Sequence, residues 1–441
     1  RDGSWSRGLG DVYKRQGARS SLFLPFKNLN LIVVDEEHDT TYKQQEQIIY
    51  NARDMAIARC SFENATVALV SATPSMESLF NAKEQRYYHL NLPKRIGIAG
   101  LPSIETIDMR NEKMENDTWI SPSLKSSISK TLEKKEQVLL FINRRGYAPL
   151  TLCKSCGEKI ECRKCDSYLV YHKVKNNLIC HQCGYKEIFK NKCKSCDQNN
   201  SYIQYGPGIE RLLEETKMCF PDSIVKSISS DNSDDFMKTM EELVLGEIDI
   251  IIGTQIISKG YHLPNLTLVG IIDADLGLIS SDLRASEYTF QLLQQVSGRS
   301  GRDKKKGKAL IQTYYPHNPV IDALINNDRD KFVEAELKMR EQSNLPPYGR
   351  LATITISDTN EESLMKFGSY LFSKIPISSA VEVLGPAPAP ILKIRNRYRY
   401  KFLIKASKKV SIQKFIENWI EDIKKPRTIR LLIDIDPYNF L

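Results

Sequence analysis

Unbroken apolar runs recur along the chain and predict a layer of buried strands. Residues 29–34 (LNLIVV) form one run ending in acids, and residues 67–70 form a second that ends in Ser71-Ala72-Thr73. A short all-apolar run reads as a strand of a parallel sheet buried on both faces, with chemistry at its carboxyl end. Residues 51–62 and 75–82 read as helices between and after these two strands. Further runs at 138–142 (VLLFI), 248–252, 266–272 and 309–313 predict more buried strands, and 208–219 and 284–296 predict helices. This alternation predicts an open parallel α/β sheet. A charged helical connector is expected over 319–342, ended by Leu345-Pro346-Pro347. Beyond it, strands near 351–357, 381–384, 400–406 and 429–435 alternate with helices near 361–373 and 411–423. The β-α-β-β-α-β order suggests a small ferredoxin-like α+β domain.

One window breaks the rhythm. Cys153-x-x-Cys156, Cys162-x-x-Cys165, Cys180-x-x-Cys183 and Cys193-x-x-Cys196 all lie within residues 153–196. A C-x-x-C turn aims two thiolates at one point. Two turns complete a tetrahedral Cys₄ zinc site, so four turns predict two Zn²⁺ ions. Four pairs combine in three ways, and spacing alone does not choose among them. Disulfides fit poorly, because there is no secretory signal and a chain of 441 residues does not need staples. The window is too small to bury a core unaided, so zinc supplies its folding free energy. Residues 151–197 hold ten Lys or Arg against five Asp or Glu. Tyr168, Tyr171, Tyr185 and Phe189, between the cysteines, suit either base stacking or packing around the zinc turns.

Composition sets outer limits. A length of 441 residues suggests two to four domains, and 41% hydrophobic with 27% charged residues is ordinary for a soluble protein. No apolar run approaches a membrane span, so no membrane partner is expected. The net charge of +9 mildly favours an anionic partner. With no signal peptide, a reducing cytoplasm is the expected compartment. Residues 1–16 (RDGSWSRGLGDVYKRQ) lack apolar periodicity and resemble an adapter-derived translation at the end of a gene fragment. The native sequence is expected to start near Gly17, with the true N-terminus missing.

Three blocks, two at strand ends and one at a helix end, suggest a motor. Asp35-Glu36-Glu37-His38 follows the first apolar run. Asp35 there can hold a Mg²⁺-bound water, Glu36 can act as general base on the water attacking a γ-phosphate, and His38 can couple this site to Ser71-Ala72-Thr73. Gly253 and Thr254 open a turn that reaches Lys259, a loop suited to phosphate oxygens, although glycines and a lysine are also common in ordinary loops. Gln295, Arg299 and Arg302 lie in QQVSGRSGR, where two arginines three apart can stabilise charge on phosphates across a cleft.

DEEHD, SATPS, FINRRGYAP, GTQIISKGYHLPNLTLVGIIDAD and QLLQQVSGRSGR, with four C-x-x-C pairs among them, closely resemble the PriA family. These are the replication-restart DNA helicases of superfamily 2, also called primosomal protein N′. The resemblance runs from Gly17 to the terminal DIDPYNF. It implies RecA-like helicase lobes, the first incomplete, with an inserted two-zinc module and a small C-terminal domain. The expected boundaries are 17–110 for the partial first lobe, 111–150 with 198–318 for the second, 151–197 for the zinc insertion, 319–345 for the connector and 346–441 for the C-terminal domain. It also implies ATP with Mg²⁺ as cofactor, 3′-to-5′ unwinding at stalled forks, and forked and single-stranded DNA as ligands. Implied partners are the single-stranded-DNA-binding protein, other primosome proteins and the machinery that loads the replicative helicase. The implied setting is the bacterial cytoplasm at the nucleoid. The zinc pairs are implied to be nested, Cys153, Cys156, Cys193 and Cys196 outside, Cys162, Cys165, Cys180 and Cys183 inside. A DNA-sensing loop after DEEHD is matched by Tyr42, Lys43 and Arg53, while Ile48-Ile49 departs from the family pattern.

The family's phosphate loop is the larger departure. No G-x-x-x-x-G-K-[ST] occurs in this chain, so the chain alone is expected to be inactive. The alternative is a zinc-dependent DNA-binding and primosome-assembly protein that hydrolyses nothing. Another superfamily 2 enzyme, such as an RNA helicase or a restriction translocase, is disfavoured by the cysteine insertion. Finally, Lys393, Arg395, Arg397, Arg399 and Lys401 alternate with Tyr398, Tyr400 and other residues. Read as one strand, they place five cations on one face for DNA or the acidic tail of the single-stranded-DNA-binding protein, with Arg397 and Arg399 at the centre, or for solvent.

Overall fold

The computed structural model describes residues 16–438 apart from 46–47, 93–101, 116–117, 143–149, 154, 157, 165–167, 173–176, 181–182, 184, 200–201, 206–207, 229–232, 255–262, 279–281 and 302–304. It divides into two compact units, one ending at His89 and one starting at Leu90. No helix among the described residues is long and apolar enough to cross a membrane.

In the first unit Leu31–Asp35 pairs in parallel with Thr66–Val70, so that Asp35 lies opposite Val70. Helix Ala52–Glu63 starts at Asn51, whose side chain accepts from Arg53 N, and stops at Asn64 in left-handed backbone. The residue 29–34 run does not form the doubly buried strand that its composition predicts. Leu31 and Val33 are 54% and 57% exposed, while Val34 is buried. A strand with one strand neighbour and a helix on one face covers only alternate side chains.

The second unit is built on six parallel strands in the order Val225–Ile228, Ile250–Gly253, Gln137–Phe141, Leu266–Ile271, Lys308–Thr313, Ser103–Asp108. The three inner strands from Ile250 to Ile271 in that order are buried at every described position, as continuous apolar runs require. Helix Pro122–Glu133, capped by Ser121, lies so close to them that a Cβ on Gly270 would sit 2.9 Å from Leu140 and 3.1 Å from Leu124. The cysteine module leaves this sheet after Phe141. Its two chain ends close as an antiparallel pair, Leu150–Cys153 against Tyr202–Tyr205.

The expected connector is two helices, Pro319–Ile325 and Arg329–Gln342, separated at Asn326-Asn327 and capped by Asn318 and Asp328. It is not a solvated spacer. Phe332 stacks on Phe290 with ring centroids 4.5 Å apart. Arg340 is fully buried, with Nη2 2.9 Å from Glu287 and 2.8 Å from Glu336. Glu287 also takes Arg284 Nη1 at 3.3 Å, and the Arg284 guanidinium lies 4.9 Å above the Tyr438 ring. This network ties the helix Ala285–Ser297 to the connector and to the end of the chain. Removing one partner of a buried ion pair strands the other charge. Arg340→Met is therefore expected to destabilise the second unit by about 3–5 kcal/mol, read as a lower urea midpoint; an unchanged midpoint would reject the network as a fastening.

The C-terminal domain has the predicted element order, Gly349–Asp358, Glu361–Ser373, Val381–Ile394, Arg397–Ser407, Ile412–Ile420, Arg430–Ile435. Its antiparallel strands run second-third-first-fourth across the sheet, the ferredoxin-like arrangement. Leu364, Phe367, Leu371, Ile416 and Trp419 pack against Ile354, Ile356, Phe402 and Ile404. The five-cation ladder, however, does not exist. Arg395 and Asn396 take left-handed backbone, φ 50° and 60°, and reverse the chain. Lys393 is therefore on the preceding strand, opposite Tyr398 and over its ring, on the other face from Arg397. Only Arg397, Arg399 and Lys401 share a face.

Candidate nucleotide and metal sites

The acidic turn forms a tight hydrogen-bonded cluster in the first unit. The Glu36 N–H donates to Asp35 Oδ1 at 3.0 Å, and Glu36 holds left-handed backbone, φ 48°. His38 Nδ1 lies 2.7 Å from Ser71 Oγ and its Nε2 3.5 Å from Thr73 Oγ1, so the imidazole spans the ends of both strands. Glu36 Oε2 is 3.6 Å from His38 Nδ1. Tyr42 donates its hydroxyl to Asp35 O at 2.6 Å, and burial first, then the Asp35 charge, raise its pKa.

Glu37 has a role that sequence reasoning missed. It is buried, accepts the Ser75 N–H at 2.6 Å, and meets Arg53 Nη1 at 3.1 Å. Arg53 also reaches Ser75 Oγ at 2.9 Å and Asp54 at 2.8 Å. Arg53 and Lys43 are 5% and 6% exposed, which corrects their reading as DNA contacts. The guanidinium instead joins the acidic turn to the start of helix Met76–Lys83, where Ser75 is the cap. The only sequence signal was the second Glu of DEEH, adjacent to the residue assigned as base.

In the second unit Gly253 ends a buried strand and Thr254 follows it, half-buried; Lys259 lies outside the described residues. Helix Ala285–Ser297 carries Gln295 and leads through Gly298 to Arg299, whose N–H donates to Val296 O at 3.0 Å. Arg302 lies outside the described residues. Gly301 has φ +66°, and a Cβ there would sit 2.1 Å from Gly307 N, so this position of the block accepts only glycine.

The cysteines gather in two clusters. Cys153, Cys156, Cys193 and Cys196 hold their sulfurs within 4.8 Å of one another, as do Cys162, Cys180 and Cys183. Cys165 lies outside the described residues. The Sγ pairs Cys153–Cys196 and Cys156–Cys193 are 3.6 Å apart, and Cys162–Cys183 is 3.7 Å. Sulfurs about 2.3 Å from a tetrahedral zinc stand about 3.8 Å apart, so the sulfur sets fit zinc in size and chemistry. At Cys156 the Glu158 N–H favours the thiolate, but desolvation and three neighbouring sulfurs push the thiol up to about 12. Burial chiefly raises Cys162 to about 11. Such crowding calls for a cation. The module's aromatics divide: Tyr171 and Phe189 stack at 4.0 Å in its core, whereas Tyr168 is 39% exposed.

On the C-terminal sheet Arg397 Nη2 donates to Ser357 O and Thr428 O, both at 2.6 Å, so this guanidinium braces the domain. Burial lowers the pKa of Arg399. Burial chiefly, with the Arg399 charge, lowers Lys401 from 10.5 to about 8, against the pull of Asp434. Between those values the unfolded chain binds the extra proton, so stability rises with pH across that window. Lys401→Met is expected to remove that rise, measured as urea midpoints on either side of the window; an unaltered pH profile would show Lys401 to be solvated.

Three family descriptions match. "Primosomal protein N C-terminal domain" covers residues 341–438, "PriA DNA helicase Cys-rich region (CRR) domain" covers 162–187, and "Helicase conserved C-terminal domain" covers 187–304. The Replication restart protein PriA of Rickettsia felis is 46% identical over 427 residues, 96% of this chain and 66% of that protein. Those of Haemophilus influenzae and Bacillus subtilis are 37% and 35% identical, again over 96% of this chain and over 58% and 54% of their own length. The chain thus spans just under two thirds of the Rickettsia relative.

Proposed function

Because the chain belongs to the PriA family, we propose that it carries motor, zinc and C-terminal parts of an ATP-dependent DNA helicase of replication restart. The activity is 3′-to-5′ unwinding at stalled forks in the bacterial cytoplasm, at the nucleoid, leading into primosome assembly. The observation that supports this best is 46% identity over 96% of a chain that holds DEEH, the cysteine pairs and QVSGRSGR in order. Asp35 orients Mg²⁺ and Glu36 takes the proton of the attacking water. His38 relays the state of the acidic turn to Ser71 and Thr73. Gly253, Thr254 and Lys259 bind phosphate oxygens, with Gln295 beside them, and Arg299 and Arg302 neutralise charge that develops on the γ-phosphate. The inner zinc takes Cys165 as its fourth ligand. Forked and single-stranded DNA, the single-stranded-DNA-binding protein and the loading machinery of the replicative helicase are the partners.

A second reading, a zinc-dependent assembly protein without turnover, is favoured for this chain by the absence of G-x-x-x-x-G-K-[ST]. ATPase assays with single-stranded DNA separate the two. The chain alone is expected to show no turnover above a Glu36→Gln control. The chain extended upstream with the matching part of the Rickettsia felis relative is expected to turn over ATP when DNA is present. A silent extended chain that still binds ATP would favour the assembly reading.

A further inference from the structure

The tip of the C-terminal hairpin rests on the cysteine module. Arg395 and Asn396 make a tight left-handed turn between Val381–Ile394 and Arg397–Ser407. The Asn396 N–H donates to Lys164 O at 2.9 Å. Lys164 sits inside the Cys162-x-x-Cys165 turn, and its own N–H donates to Cys162 Sγ at 3.4 Å. A single residue therefore lies between the hairpin and a metal-ligating sulfur. Ile394 completes the contact by packing against the cluster of Ile160, Cys162, Leu169, Leu178 and Cys180. The outer cluster stands elsewhere. Cys153 is on the strand pair that closes the two chain ends of the module, opposite Tyr202.

We propose that the inner cysteine cluster is the docking point of the C-terminal domain's hairpin, and that the outer cluster serves only to close the base of the module. The position of Lys164 O is set by the Cys162 turn, and that turn keeps its shape only while its sulfurs share a metal. Loss of the inner metal lets the turn relax and frees the Asn396 N–H. The coupling is reciprocal: a docked hairpin holds the turn in its metal-binding shape and slows metal release. Ile394 and Asn396 are thus positioning residues for a metal site that belongs to another part of the chain. This rests on the zinc reading of the module and is independent of the helicase reading.

Amide exchange in the full chain, purified with zinc, tests both directions. Cys180→Ser is expected to speed exchange across residues 385–400 about tenfold or more, with the 361–373 helix unchanged as internal control. Cys196→Ser is expected to leave the hairpin tip at its original rate. From the other side, Ile394→Asp is expected to release one of the two zincs to a chelating dye about tenfold faster, while Asn396→Gly, which keeps both the turn and the N–H, releases zinc at the original rate. Equal hairpin exchange in the two cysteine variants, or unaltered zinc release from Ile394→Asp, overturns the proposal. A chain that binds no zinc at all would instead defeat the zinc reading beneath it.

Discussion

Arg299→Ala, in the upstream-extended chain, is expected to lower DNA-stimulated ATP turnover by about 10³–10⁵-fold. An arginine stabilises phosphoryl transfer only if it is already in place when charge develops, because reorganising it would cost what it gains. Its mounting here is stiff. Arg299 stands one residue, Gly298, beyond the helix Ala285–Ser297, which is fastened by the Phe290–Phe332 stack and by Glu287 on buried Arg340. Such a residue acts mainly on the transition state, so kcat is expected to fall far more than KM changes. Arg299→Lys keeps the charge but loses the planar fork, and should fall between the parent and the alanine variant. A raised KM at unchanged kcat would reduce Arg299 to a ground-state ligand of the nucleotide.

The central sheet was legible because its inner strands are buried on both faces, which forces continuous apolar runs at 138–142, 248–252 and 266–272. The sheet's edges were not. Ser103–Asp108 and Val225–Ile228 are interrupted by adjacent polar residues, Glu105-Thr106 in the one and Lys226-Ser227 in the other, so neither shows as an apolar run. The helix Pro122–Glu133 likewise holds no apolar run, and its sequence signal is the Ser121-Pro122 start. Burial of charge was the deepest blind spot. Arg340 and Arg53 look like solvated cations in a sequence, and only the carboxylates of Glu336, Glu287 and Glu37 brought beside them make their burial tolerable. The basic ladder failed for a local reason. Strict alternation from Lys393 to Lys401 hid a two-residue reversal that Asn396, a residue tolerant of left-handed backbone, makes accessible. By contrast, the order DEEH then SAT was enough to anticipate that His38 faces Ser71, since parallel neighbouring strands bring their carboxyl ends together.

Stripping the metal is expected to unfold the cysteine module outright while the parallel sheet and the C-terminal domain keep their cores. Among the described residues the module's apolar cluster is Ile160, Cys162, Leu169, Leu178 and Cys180 with a few half-buried neighbours, and two of these five are themselves ligating cysteines. A core that small does not offset the conformational entropy of ordering the module. Zinc binding to thiolates supplies about 10–16 kcal/mol in small zinc domains, enough to decide the outcome. The parallel sheet needs no such help, because its buried strands contact one another across residues 137–271 without passing through the module. Metal analysis should therefore give two zincs per chain, and X-ray absorption should show sulfur-only shells near about 2.3 Å. Chelation should open residues 151–205 to trypsin while the fragments on either side stay resistant and the far-ultraviolet signal of the sheet is retained. A module that stays protease-resistant without metal, or a shell containing nitrogen, would reject the eight-thiolate assignment.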